Sequence, residues 1–216
     1  MRVVTISAAY GAGGSVVGPA VAERLGVPFM DRAIPEAVAA EIGCSLDAAL
    51  AHDGRTEAGL GRLFAATARV PNIALGGLES YLPPQDIVAE EEFVLRTEEV
   101  IHQVAGRTGG VILGRAGAIV LAEHPDALHV RLTGPEDARV AQAMRLHGRD
   151  AESARNRLRE NDRARAAYVK HFYRTDAADP KHYHLVVDST SIPLDTVTEM
   201  VVAAAQASHR GVGTRG

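Results

Sequence analysis

A single cysteine, Cys44, rules out an intramolecular disulfide, accords with a reducing compartment, and reads as a small buried residue. Tryptophan is absent and aromatic residues make up only 4% of the 216 positions, so Ala, Val, Leu and Ile must build the core. That composition suits a helix-rich α/β protein better than a β-sandwich. No apolar run approaches the roughly 18 residues of a membrane span, and the N-terminus enters a strand with no charged or apolar leader region ahead of it. A cytoplasmic chain with no membrane partner is expected. A net charge of −4 argues against a generic nucleic-acid binder. Neither a charge block nor a Gly/Ser-rich linker divides the chain, which predicts one domain over residues 1–207 and a frayed tail over 208–216. The oligomeric state is not written in these features.

What the sequence does contain begins at Val3-Val-Thr-Ile6, a β-branched run suited to a strand buried on both faces. It leads into Tyr10-Gly-Ala-Gly-Gly-Ser15 and then an apolar helical stretch to Gly26. Strand, glycine turn and helix together read as a phosphate cradle: the glycines would let several amides face one point, with the helix N-terminus behind them. A Walker A loop, G-x-x-x-x-G-K-[ST], would place its lysine at Gly14 and its hydroxyl residue at Ser15, so Gly13 and Ser15 match and the lysine is missing.

Further along, Val27 to Asp31 reads as a short second strand, followed by a helix over Ile34 to Ile42. Residues 45–107 show no clear strand and read as a helical insertion ending in a helix over Glu90 to Ala105. A third strand begins at Gly109, a fourth spans Ala127 to Thr133, and a fifth spans Tyr183 to Ser189. Helices over Pro135 to Met144, through an Arg-rich stretch to Phe172, and over Leu194 to Ala207 alternate with them. This pattern predicts a parallel, doubly wound sheet with functional residues just beyond the strand ends.

Those ends carry the glycine loop, Gly114-Arg115, and Thr133-Gly-Pro-Glu-Asp-Ala-Arg139. Arg145, Arg149, Arg155, Arg157, Arg159, Arg163 and Arg165 then crowd one segment. Such forked, permanently charged groups suit phosphate recognition, although Glu152, Glu160 and Asp162 also provide partners for a plain solvated helix face. Asp31 follows the loop by about 20 residues, where a dinucleotide site places its ribose-binding acid, and it also suits a helix cap or loop anchor. Val16 stands where the third dinucleotide glycine belongs, which weakens that reading. His171, His182 and His184 lack partners at metal-ligand spacing and read as loop or surface histidines. Asp188 reads as the cap of the turn that follows strand five.

The order of Tyr10-Gly-Ala-Gly-Gly-Ser15, Phe29-Met-Asp31, Val111-Ile-Leu-Gly-Arg115, Leu128-His-Val-Arg-Leu132, Asp162-Arg-Ala-Arg-Ala-Ala-Tyr168 and Asp179-Pro-Lys-His-Tyr183 resembles the cytidylate-kinase-like family, a divergent branch of the P-loop nucleoside monophosphate kinases. The resemblance implies a three-layer α/β fold with a five-stranded parallel sheet in the order 2-3-1-4-5. It also implies a helical insertion that clamps the acceptor and an arginine lid over residues 145–180. ATP and Mg²⁺ are the implied cofactors, and a nucleoside monophosphate, CMP or dCMP, the implied acceptor.

Carried over by position, Gly11, Ala12, Gly13, Gly14 and Ser15 would hold the donor phosphates, with Ser15 also the Mg²⁺ ligand and Arg149 a further donor-side group. Arg115 would hold the acceptor phosphate, with Arg96 and Asp31 as further acceptor-side candidates. Asp162 would lie near the base or sugar, and Arg165 between the two phosphate groups. Because Gly14 and Ser15 supply no cation, Arg163 or Arg174 would have to. Leu113 and Ala116 stand where cytidylate kinases carry acidic residues. A catalytic kinase and a non-catalytic nucleotide-binding or sensory protein both accord with this pattern.

Overall fold

The computed structural model describes residues 2–31, 90–148 and 150–208, with side chains from Val94 onward in the second stretch. The helix expected over 34–42, the first part of the expected insertion, Cys44 and Arg149 lie outside them. Five strands form one sheet: β1 (Val3–Ala8), β2 (Phe29–Met30), β3 (Gly110–Leu113), β4 (Ala127–Thr133) and β5 (Leu185–Asp188). All pairings are parallel and the order is β2-β3-β1-β4-β5, as the resemblance implies. The helices are α1 (Gly14–Leu25), α2 (Glu90–Arg107), α3 (Gly117–Val120), α4 (Glu136–His147), α5 (Ala151–Tyr173) and α6 (Leu194–Ser208).

The two-residue period of the strands sorts their side chains onto two layers of helix. From β1, Val4 and Ile6 meet Val17 and Val21 of α1 and Val197 and Val201 of α6, with Leu128, Val130 and Leu132 of β4 in the same cluster. Val3 takes the opposite face, with Ile112, Ala127 and the α2 residues Val100, Ile101 and Ala105. Central β1 is flanked by β3 and β4 and covered on both faces, which is why its sequence is nearly all apolar.

Helix ends follow local chemistry. Gly26 closes α1 in the left-handed region at φ 64°, and the carboxylate of Asp150 caps α5 by accepting from the Ser153 N–H at 2.9 Å. Part of the arginine cluster ties α5 to α4: Arg155 reaches Asp137 at 3.0 Å, and Arg159 reaches Glu136 at 3.7 Å. Among the described residues, no helix is long and apolar enough to cross a membrane.

Candidate active site

The chain leaves β1 at Ala8, turns through residues 9–13 and enters α1. Gly11 and Gly13 both sit in the left-handed region, at φ 78° and 79°. A Cβ on Gly11 would lie 2.2 Å from the Arg139 carbonyl oxygen, so conformation and space both require glycine there. The turn is closed by the Ala12 N–H donating to the Ala9 carbonyl at 3.0 Å. Gly13 is the residue ahead of α1 and offers no side-chain cap, so Ser15 is not the helix cap that its type suggests but the second helical residue, exposed at the cavity edge. The first amides of α1 have no partner within the helix. Gly11, Gly13, Gly14 and Ser15 border the cavity, whereas Ala12 is fully buried and does not.

Gly14 is the position of a loop lysine in Walker-type sequences. Here a Cβ would lie 2.5 Å from the Ala8 Cβ and 3.1 Å from Leu113 Cδ1. The strand and the helix are thus packed as closely as a missing side chain allows.

Behind the loop, three side chains take three successive carbonyl oxygens. Arg139 Nη1 donates to Tyr10 O at 3.0 Å, Gln142 Nε2 to Gly11 O at 3.0 Å, and the Ser189 hydroxyl to Ala12 O at 2.7 Å. Arg139 also pairs with Asp162 Oδ2 at 2.7 Å, while Asp162 Oδ1 accepts from the Tyr10 N–H at 3.1 Å. The aspartate expected near a base or sugar therefore has both oxygens engaged in bracing the loop. Arg139, Gln142 and Ser189 had no assigned role in the sequence.

In front of the loop lies a cavity of about 260 Å³, bounded by the ends of β1 and β3, by α3 and by α5. Arg115 follows β3 with its backbone at φ 52°, a left-handed conformation unusual for a side-chain-bearing residue, and Ala116 repeats it. The Arg115 side chain is 5% exposed, and its Nη1 reaches Asp31 Oδ1 at 3.3 Å and the Leu113 carbonyl at 3.2 Å. Arg165, on α5, also borders the cavity and donates to the Ala8 carbonyl at the root of the glycine loop. Leu113, Ala118, Ile119 and Val169 make much of the wall apolar, and Thr97 adds a hydroxyl.

The remaining candidates lie elsewhere. Arg96 pairs with Glu99 at 2.8 Å on α2 and does not border the cavity. Arg163 and Arg174 are exposed and also stand outside the lining. Among the histidines, His182 bonds Thr175 at 2.9 Å and His184 stacks on His129 with centroids 5.0 Å apart. No cluster of three His, Cys, Asp or Glu suited to a metal occurs among the described residues. Asp188 caps the turn after β5, accepting from the Thr190 N–H and hydroxyl and from Ser191, and these bonds hold its carboxyl below the usual range.

The family model that matches this chain is that of the cytidylate kinase-like family, over residues 3–191. A cytidylate kinase of Methanopyrus kandleri is 32% identical over 109 residues, which cover 46% of this chain and 56% of that protein. A uronate isomerase of Corynebacterium glutamicum is 28% identical over 106 residues, 49% of this chain but 20% of that much longer protein. The chain thus spans about a fifth of one relative and just over half of the other. Among solved structures, an uncharacterized protein from Eubacterium ventriosum has the same fold, with a TM-score of 0.65 over 96% of this chain and 99% of that one at 17% identity.

Proposed function

The chain belongs to the cytidylate kinase-like family, and from that footing we propose that it transfers the γ-phosphoryl group of ATP to a nucleoside monophosphate, CMP or dCMP foremost. The observation that carries the reading is the convergence on one cavity of the glycine loop, Arg115 and Arg165. Phosphoryl transfer asks for little covalent chemistry and much alignment and charge stabilisation, so no covalent enzyme intermediate is needed.

In this reading Gly11, Gly13, Gly14 and Ser15 bind the donor phosphates through backbone amides, and Arg115 holds the acceptor phosphate. Asp31 steers the Arg115 fork from the cavity wall. Arg165 lies along α5 where it can meet charge on the transferred group, and the apolar wall excludes water that would otherwise hydrolyse ATP. Mg²⁺ in such sites keeps several waters and takes only one or two protein ligands beside phosphate oxygens, a demand that the Ser15 hydroxyl fits. When bound, the ion neutralises phosphate charge. A cytoplasmic setting, where ATP and nucleoside monophosphates are present, accords with this activity.

A second reading, a nucleotide-binding protein without efficient transfer, is favoured by the closed position at Gly14. A coupled assay of Mg-ATP against all nucleoside monophosphates separates the two. Turnover on the order of 1 to 100 s⁻¹ with one of them supports the kinase; binding without turnover supports the second reading. In the kinase, Arg115→Ala raises the acceptor KM by about 100-fold and leaves the ATP KM within about twofold, because it removes a charged fork from one phosphate only. Equal losses for both substrates overturn the assignment of Arg115.

A further inference from the structure

We propose that Arg139, Gln142 and Ser189 are positioning residues for the donor phosphates, acting through the backbone of the glycine loop; this rests on the reading of that loop as the donor site. A trans peptide is planar, so the carbonyl of one residue and the N–H of the next point in opposite directions. No cis peptide occurs among the described residues. Fixing the Tyr10 carbonyl on Arg139 therefore aims the Gly11 N–H away from α4, toward the cavity that Gly11 borders. Fixing the Ala12 carbonyl on Ser189 aims the Gly13 N–H in the same manner. Fixing the Gly11 carbonyl on Gln142 aims the Ala12 N–H at Ala9 O, which closes the turn.

A loop of glycines has few other constraints on its shape beyond the Ala12 N–H bond to Ala9 O that closes the turn. Left-handed glycines turn over readily, and a flipped peptide would present a carbonyl oxygen to a phosphate oxygen. The three residues are 9%, 6% and 0% exposed, so each carries a buried polar group whose bond is expensive to leave unmade. Asp162 completes the frame by pairing with Arg139 and accepting from the Tyr10 N–H. In a loop without a lysine side chain to hold its phosphate, donor affinity comes from how well these amides are aimed in advance.

Ser189→Ala and Gln142→Met each remove one donor with little change in volume. Titration calorimetry with inorganic pyrophosphate as the donor-side probe and CMP as the acceptor-side probe, together with amide NMR of Gly11 and Gly13 in the unliganded protein, tests the proposal. Each variant is expected to bind pyrophosphate about tenfold more weakly, the size of one lost hydrogen bond. CMP affinity stays within about twofold on this account, since the acceptor site keeps all its groups, and the two amide resonances shift. Unchanged pyrophosphate affinity, or equal weakening for both probes, overturns it; the two variants guard against one failing to fold. Wild-type protein that binds pyrophosphate but not CMP removes the acceptor assignment and leaves this proposal to the pyrophosphate and NMR results. Wild-type protein that binds no pyrophosphate removes the proposal itself.

Discussion

Residue 14 shows how a single contact distance limits what this site can become. Gly14 is helical, not left-handed, so its backbone would accept a side chain; the Ala8 Cβ, 2.5 Å from where a Cβ would stand, is the contact that forbids one, with the more yielding Leu113 Cδ1 at 3.1 Å. Gly14→Lys is therefore expected to lower stability by about 1–3 kcal/mol through overpacking and to leave transfer no faster. Combining it with Ala8→Gly should recover much of that loss. Thermal melts and turnover of the single and double variants check both statements, and a stable, faster Gly14→Lys protein would show that the loop has room after all. The same residue explains why the lysine-less pattern is legible in the sequence while its cause is not. The absence is visible at position 14, but the obstruction comes from position 8 across the strand-to-helix turn.

At the scale of elements, α1 runs through Pro19 without ending there. A proline six residues into a helix removes one hydrogen bond, here the one that would reach the Ser15 carbonyl, and both residues are exposed. Pro19→Ala should stabilise the protein by about 2 kcal/mol, the interior penalty of about 3 kcal/mol less the up to about 1 kcal/mol of entropy that proline removes from the unfolded chain. Denaturant midpoints measure this; an unchanged midpoint would mean that α1 is already distorted to suit the ring. Elements were the most legible level of the sequence, because periodicity and terminal glycines are local signals: Ala127–Thr133 emerges as read, and Gly26 closes α1. The braces were not legible. Arg139 stands at a strand end that the sequence marks, but its bond to Tyr10 and that of Ser189 to Ala12 join residues with no local relation. Asp162 was visible as a candidate, but its bonds to the Tyr10 N–H and to Arg139 join it to the loop backbone across a distance in sequence that no local signal announces.

Across the whole molecule, stability should depend on pH through His129 of β4. Its ring is buried, bonded to Thr5 at 2.8 Å and stacked on His184, and burial first, then the neighbouring His184 and His124, hold its pKa down to about 4. Because the folded value lies below the unfolded one of about 6.5, the unfolded chain takes up the proton first as pH falls. Stability from this group is complete above about 6.5 and is lost toward about 4, at no more than about 1.4 kcal/mol per pH unit. Wild type should therefore lose its advantage over His129→Gln between pH 7 and pH 5 in denaturant titrations, and a gap that stays constant would assign the dependence to other groups.

The sheet order has a consequence in time. β1 and its glycine loop are made before β3 and β4, the strands between which β1 lies, with Val3 paired to Gly110 and to Ala127. The frame of the loop arrives later still, with Arg139, Gln142 and finally Ser189. Contacts so distant in sequence demand costly loop closure before they return any stability, which slows folding. During synthesis the glycine loop is thus a strand end without neighbours, and it gains its braced shape only once Ser189 has emerged. A nascent or truncated chain ending before Ser189 should be unable to sequester nucleotide.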